Sequence, residues 1–478
     1  MKKWILLLSG LSFQTLFGQI SELESDWVDN GLKHSAVKSY SFGNIERLFD
    51  SSKVTKWDVF PDVTGSYGNG QLKIQTGAGI AMEAGLKQKW AIQLRYAVGY
   101  SNAPNSSYSS DLQTKAFFMN RLSKTSTADN FLYNDIRFRM TYRPIKQIEL
   151  QAGIDNHHFG EGDRSLMIGQ QSAPSPFVKV TGSIWRLQYH FMQQLWSEGM
   201  FTNNYRPKGN ATHYVSYKVN RNIHIGIFES VVYGMKDTLY NRGFEPEYAN
   251  PFIFFRPQEY GVGSTDNVVL GLNASYQLGS HMIYGAFVLD EFLLKEIRAR
   301  KRWWANKYAA QIGVKSHFVR GEHHWFHRFE ANLVRPFTYT QIRPDVVYAS
   351  ENLPVAHPLG ANFIELYDEV NWRYRNFDVT LFLQYYLKGH AEPTDNTGGD
   401  IYIPYTERKE EYNYTIGRGI TQWRYMAGLH FAYGLRKNKW QVFIEPRLII
   451  SKVEKSVSTN GYFTIGIHRK IGAFRRNY

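Results

Sequence analysis

The sequence predicts an all-β fold, a transmembrane antiparallel β-barrel of about 18 strands with inward-folded loops and a short N-terminal extension. Three observations predict it. Aromatic residues make up 16% of the 478-residue chain, with 32 Tyr, 31 Phe and 12 Trp, yet the mean hydropathy is only −0.42. Short amphipathic strands with aromatic ends produce both values. From Trp57 onward, apolar and polar residues alternate with a period of two, the signature of strands with one greasy and one wet face. Tight turns and long connections also alternate along the chain, as they do between the two ends of an outer-membrane barrel.

The first eighteen residues read as a secretory signal: Lys2-Lys3, an apolar run from Trp4 to Leu8, then small and apolar residues to Gly18. Cleavage is expected near Gly18/Gln19. The chain contains no cysteine, which excludes a lipoprotein signal, disulfides and thiolate metal sites. No later run reaches the roughly 18 apolar residues of a spanning helix. Residues 19–54 are polar and irregular, with a short helix expected around Gly43 to Phe49; they form a periplasmic extension or a plug. The barrel is assigned to 55–478.

The strands follow one rule. Trp90, Ile92, Leu94, Tyr96 and Val98 oppose Lys89, Gln93 and Arg95. Ile136, Phe138, Met140 and Tyr142 oppose Asp135, Arg137, Arg139 and Arg143. Ile148, Leu150, Ala152 and Ile154 oppose Glu149, Gln151 and Asp155. The pattern recurs through Leu270–Tyr276, Tyr308–Val314, Phe377–Tyr385, Tyr425–Phe431, Trp440–Ile444 and Phe463–Ile467. Segments of about 9 to 13 residues suit tilted bilayer-crossing strands better than the shorter strands of a soluble sandwich. Between Asn222 and Tyr233, Glu229 falls on the apolar face, which predicts a bulge or an early exit from the membrane. Tight turns are expected at 143–146, 219–222 and 436–439. Long loops are expected at 100–130, 155–176, 234–266, 292–304, 339–360 and 389–419.

The net charge of +14 favours anionic partners: acidic glycans, lipopolysaccharide phosphates or nucleic acid. Export argues against nucleic acid. Basic side chains lining a wet lumen give the same balance.

The stretch Ile154 to Leu166 packs His157, His158, Glu161, Asp163 and Arg164 into a loop between two strands. Four readings are open for it. A metal site needs chelating spacing, which Asp155 and His157 satisfy at i, i+2, whereas adjacent histidines on extended backbone diverge. A catalytic set needs a framed nucleophile, and Ser165 has no elbow motif around it. A glycan-binding loop and a polar network folded into the lumen are the others. In the last reading the acids pair with the basic cluster Arg137, Arg139 and Arg143 on the preceding strand. A second histidine cluster, Glu322 to His327, falls where a hairpin turn is expected. Trp303, Trp304 and Asn306 combine rings with an amide, a combination that suits the C–H faces and hydroxyls of sugars. The loop Ala356 to Glu365, with His357 and Asn362, mixes apolar and polar residues as an inward-folding constriction does. Asp290 and Glu291 face opposite sides of a strand and form no carboxylate dyad.

The segments Asp155–Leu166, Gln258–Ser264 (with Glu259), Asn267–Asn273, Trp303–Lys307 and Ala356–Asn362 resemble the Wzi-like capsule-assembly barrels, most of all their gliding-motility branch, RemB. The resemblance covers about residues 55 to 470. It implies an 18-stranded outer-membrane barrel of a Gram-negative bacterium that binds or anchors surface polysaccharide, or supports adhesion and gliding beside other outer-membrane secretion proteins. Residues 20–54 are short for the periplasmic helical bundle of the capsule proteins. The resemblance supplies no catalytic residues. The expectation is therefore a non-enzymatic protein without metal or cofactor, whose partners are outer-membrane lipid, lipopolysaccharide and surface polysaccharide. A substrate-selective porin and a subunit of a larger outer-membrane complex are the alternatives.

Overall fold

The computed structural model describes residues 36–38, 45–49, 53–68, 70–102, 120–121, 131–170, 172–198, 205–236, 243–251, 266–351, 353–435 and 440–469. The signal segment, most of 19–54, Glu259 and the 436–439 turn lie outside the described residues. Eighteen antiparallel strands close into one barrel. They are β1 (Lys53–Gly68), β2 (Gln71–Leu86), β3 (Trp90–Ser101), β4 (Phe131–Ile145), β5 (Ile148–Asp155) and β6 (Ser175–Ile184). Next come β7 (Leu187–Glu198), β8 (Arg206–Lys218), β9 (Ile223–Gly234), β10 (Asn267–Leu278), β11 (His281–Glu291) and β12 (Lys307–Arg320). The last are β13 (His323–Val334), β14 (Phe363–Tyr374), β15 (Phe377–His390), β16 (Ile420–Leu435), β17 (Trp440–Val453) and β18 (Ser456–Arg469). Each pairs with its sequence neighbour, and β1 closes the ring on β18 with Asp62 opposite His468. Closure leaves no open edge, as the hydrocarbon layer demands.

Alternation decides what each wall position meets. The outer face carries large apolar side chains that a soluble protein would bury: Val178 is 58% and Ile312 61% exposed. Rings mark the short-turn rim, where Trp325 and Trp372 lie 6.0 Å apart and His323 stacks on Tyr374 at 4.4 Å. Such a belt belongs at a membrane–water interface. Both β1 and β18 have their outer ends on this rim, which is the periplasmic side of barrels with short periplasmic turns.

Glu229 behaves differently from the sequence expectation. The β8–β9 register runs unbroken from Lys208↔Gly234 to Lys218↔His224, with no bulge. Glu229 stays on the outward face, opposite His213. The turn Pro246–Ala249 folds back over this strip, and Tyr248 stacks on Tyr233 at 5.0 Å beside Phe191 and Val231. The strand keeps its phase because loop, not lipid, covers it.

Three connections at the long-loop end turn inward: 156–174, 335–362 and 391–419. The inward folding expected of the loops brings apolar as well as polar side chains into the lumen. Phe159, Leu166 and Met167 from the first loop pack with Tyr339, Tyr348 and Leu359 from the second against Met192, Trp196, Tyr214 and Phe228 of the wall. The filling is apolar where it meets β7–β9 and ionic where it meets β12–β14. The N-terminal segment joins it: Val37–Lys38 pairs antiparallel with His158–Phe159, and Gly160 donates its N–H to the Ala36 carbonyl at 2.7 Å. Near the short-turn end, the single helical turn Glu46–Phe49 packs against the wall, with the Arg143 guanidinium 4.0 Å above the Phe49 ring.

Candidate functional site: an ionic plug and a basic aromatic rim

The 156–174 loop turns at Gly160, whose φ of +118° suits glycine. Gly162 then presses on the Gln311 side chain so closely that a Cβ would collide with it. This backbone approach sends three charged residues, Glu161, Asp163 and Arg164, into the β12–β14 wall. Lys315 Nζ donates to Glu161 Oε2 at 3.2 Å. Arg328 Nη1 donates to Asp163 Oδ1 at 2.6 Å and lies 3.6 Å from Glu369. Arg164 pairs with Glu365. The Asp163 amide donates to Glu330, and Gln311 Nε2 donates to the Arg164 carbonyl at 2.7 Å. Glu365 also accepts from Asn332 at 3.0 Å, Gln384 at 2.6 Å and His357 at 2.7 Å. His357 accepts the Leu359 N–H at Nδ1, so the neutral ring donates from Nε2. Burial holds the His357 pKa below its ordinary value against the pull of Glu365.

The expected pairing with the preceding strand holds for Asp155, whereas Glu161 and Asp163 pair elsewhere. Of the acids in this stretch, Asp155 pairs with Arg139 and lies 3.9 Å from Arg137, whereas Arg143 pairs with Glu149 at 2.6 Å. Glu161 and Asp163 reach the far wall. His157 and His158 diverge. His158 sits in the ribbon with Lys38. His157 meets the Phe177 ring edge-on at 4.3 Å, and neither ring nitrogen has a hydrogen-bond partner among the described residues. Burial first, then nearby Lys179, hold the His157 pKa well below its usual range. Ser165 Oγ donates to the Phe159 carbonyl and accepts the Met167 amide, forming a turn. Among the described residues no group of three His, Asp or Glu side chains could hold a metal ion.

Asn362 ties the second and third loops together. Its amide donates to Gly389 O at 3.1 Å, Thr397 O at 3.3 Å and Arg418 O at 2.9 Å, and its oxygen accepts from Gly417 N at 2.8 Å. Lys388 Nζ adds bonds to the Leu359, Ala361 and Gly399 carbonyls at 2.6 to 2.9 Å. Asn362→Ala leaves these buried backbone groups unmatched and is expected to cost about 1–3 kcal/mol, measured as a lower urea midpoint of the refolding barrel.

The second cluster sits at the long-loop rim. The 301–304 and 411–414 segments are joined by backbone bonds, Asn413 N to Lys301 O at 3.0 Å and Trp304 N to Glu411 O at 3.1 Å. Glu411 Oε2 accepts from the indoles of Trp304 at 2.8 Å and Trp303 at 3.3 Å. Arg408 stacks 3.8 Å over the buried Trp304 ring. Trp303 is only partly covered. Asn306 does not present its amide to solvent: Oδ1 accepts Leu293 N at 3.0 Å, and its carbonyl accepts Arg335 at 2.8 Å. Beside Trp303 runs a basic stretch that the sequence reading passed over, Lys295, Arg298, Arg300, Lys301 and Arg302, all exposed. Five cations in eight residues was the available signal.

Some desolvation opposes ionisation of Glu411, but hydrogen bonds from Arg408, Trp304 and Trp303 hold its carboxyl below the usual carboxylate range. A depressed folded pKa gives stabilisation that is present above the unfolded value and disappears as pH falls through the folded one. Acidification to below the ordinary carboxylate range is therefore expected to change the indole fluorescence of this rim, and Glu411→Gln should remove that step from the titration.

No family model and no curated protein sequence matches the chain. Solved structures do. Wzi of Escherichia coli, described as a carbohydrate-binding β-barrel involved in group 1 capsule assembly, superposes with a TM-score of 0.54 at 11% identity, covering 86% of this chain and 84% of that one. The barrels OccAB2 of Acinetobacter baumannii (TM-score 0.47, 9% identity, 87% and 97% covered) and OpdK of Pseudomonas aeruginosa (0.46, 10%, 87% and 98%) are also similar. The fold is a Wzi-like outer-membrane barrel. At these identities the likeness concerns the fold alone.

Proposed function

We propose that this barrel is a non-enzymatic binder of an anionic surface polysaccharide, taken up at the long-loop rim. The observation that carries the reading is the exposed basic stretch Lys295–Arg302 beside the partly exposed Trp303. Cations meet carboxylates or phosphates of an acidic glycan while the ring packs on sugar C–H faces. The plug supplies a rigid base for this surface. The carbohydrate-binding description of Wzi supports the same class of ligand. Capsule anchoring and adhesion during gliding, the role of the RemB branch, are two uses of one such surface.

Isothermal titration of the purified barrel with an acidic capsular polysaccharide tests this. Arg298→Glu with Arg302→Glu should weaken binding about tenfold or more at low salt, and Trp303→Ala should weaken it at all salt concentrations. Unchanged binding in both variants would remove the rim from the assignment. A porin is the second reading, favoured by the eighteen-strand circumference, which is wide enough for a channel.

A further inference from the structure

The expected turn cluster Glu322 to His327 does not stay together. The turn is Gly321–Glu322, and His323 opens β13. His324 turns to the lumen side, whereas His327 shares the outward phase of Trp325 and Phe329, which are 43% and 38% exposed. Asp368 on β14 is outward too, in phase with Leu366 at 39%. His327 Nε2 meets Asp368 Oδ1 at 2.8 Å, with both side chains about a third exposed (38% and 32%). Ser316, directly opposite His327, faces the same way and bonds to His281 Nδ1 at 2.8 Å. The rungs His281↔Ser316 and Ser316↔His327 make a polar row across three strands on the lipid side. Between the terminal aromatic residues of β12 to β17, the other outward positions among the described residues are apolar or small. Ionisable groups in such a place call for a ligand or partner.

The row continues into an apolar groove of about 320 Å³. Asp368 stands at its edge, and Phe329, Leu366, Leu383, Tyr425, Ala427 and Leu448 line it. The rungs Asp368↔Leu383, Leu383↔Ala427 and Ala427↔Leu448 run along its floor. Depth changes along the row. His281 begins its strand at the short-turn rim, and Ser316 and His327 each lie four residues from their turn. Leu383 lies six residues in from Phe377, and Leu448 eight in from Trp440. Strand tilt thus lifts the row from the interface into the hydrocarbon, its polar end outermost.

We propose that this row and groove form a binding site for one glycerophospholipid of the periplasmic leaflet. The gradient of polarity with depth matches that of an amphiphile and is the argument for this occupant. His281, which is exposed, meets the headgroup phosphate, and Ser316, itself buried beneath it, orients the ring. The His327–Asp368 pair meets the glycerol and ester region, with Asp368 orienting the ring. One acyl chain lies in the groove, where Ala427 leaves room for it. This site is separate from the glycan surface, at the opposite end of the wall.

Native mass spectrometry tests it. The full barrel in dodecyl maltoside is titrated with dipalmitoyl phosphatidylethanolamine, with folding checked by heat-modifiable gel migration. The expected result is one retained lipid per barrel. Retention should fall about tenfold in Ala427→Trp, which fills the groove, and in His281→Leu with Ser316→Val, His327→Leu and Asp368→Leu, which removes the polar row. The second set places apolar side chains against lipid and should fold. Equal retention by the barrel and both variants overturns the proposal, as does an absence of retained lipid. A dimer that is lost in Ala427→Trp also overturns it, because the groove then belongs to a second copy.

Discussion

Glu365→Leu is expected to destabilise the barrel by about 3–5 kcal/mol, the cost of leaving a buried cation without its counter-charge. Arg164 loses this carboxylate, and Asn332, Gln384 and His357 lose their common acceptor. Urea refolding in detergent micelles measures the change. Arg164→Met combined with Glu365→Leu should recover a large part of it, since an apolar pair of similar volume avoids the desolvation of both charges. A double variant as unstable as the single would place the loss in packing rather than in the uncompensated charge.

The second large effect concerns conduction. Eighteen strands enclose a lumen wide enough for water and ions, and the described loops fill it with an apolar core. The intact barrel should therefore stay near baseline in planar bilayers. Replacing residues 342–358 with a short Gly-Ser linker removes Tyr348, Val355, His357 and the backbone carbonyl that Lys208 holds at 3.2 Å. Conductance should then rise at least about tenfold toward that of an open barrel of this size. Porin-level conductance before any deletion would decide for the channel reading over the polysaccharide-binding one.

The wall was legible because alternation is local. Each outward Leu, Val or Tyr announces its neighbour's phase, so faces, strand lengths and turns follow from a few residues of context. Glu229 shows the limit: its strand breaks the pattern because Tyr248, nineteen positions on, covers it. The plug was legible as polar chemistry but not as pairing. Arg164 and Glu365 are 201 residues apart, and Asp163 and Arg328 are 165 apart. Nothing in Asp155 to Leu166 says which wall its charges will meet. The adjacent arginines on β4 were the nearest candidates in sequence, but Asp155 already occupies Arg139. The pairing of His327 with Asp368 escaped notice for a related reason: either residue alone reads as a turn or rim group, and only the β13–β14 register brings them diagonally together.

The bonds from the inward loops to the wall have a mechanical meaning. A barrel without filling is a hoop, and a hoop pulled at one point becomes an ellipse at little cost. Here Asp155 grips β4, while Glu161, Asp163 and Arg164 grip β12, β13 and β14 across the bore. These contacts act as spokes. A load applied to the Lys295–Arg302 rim enters β11 and β12 and passes through Lys315 and Arg328 to strands on the other side of the ring. Tension from a long chain held at the surface is thus shared around the circumference, and the cross-section keeps its shape.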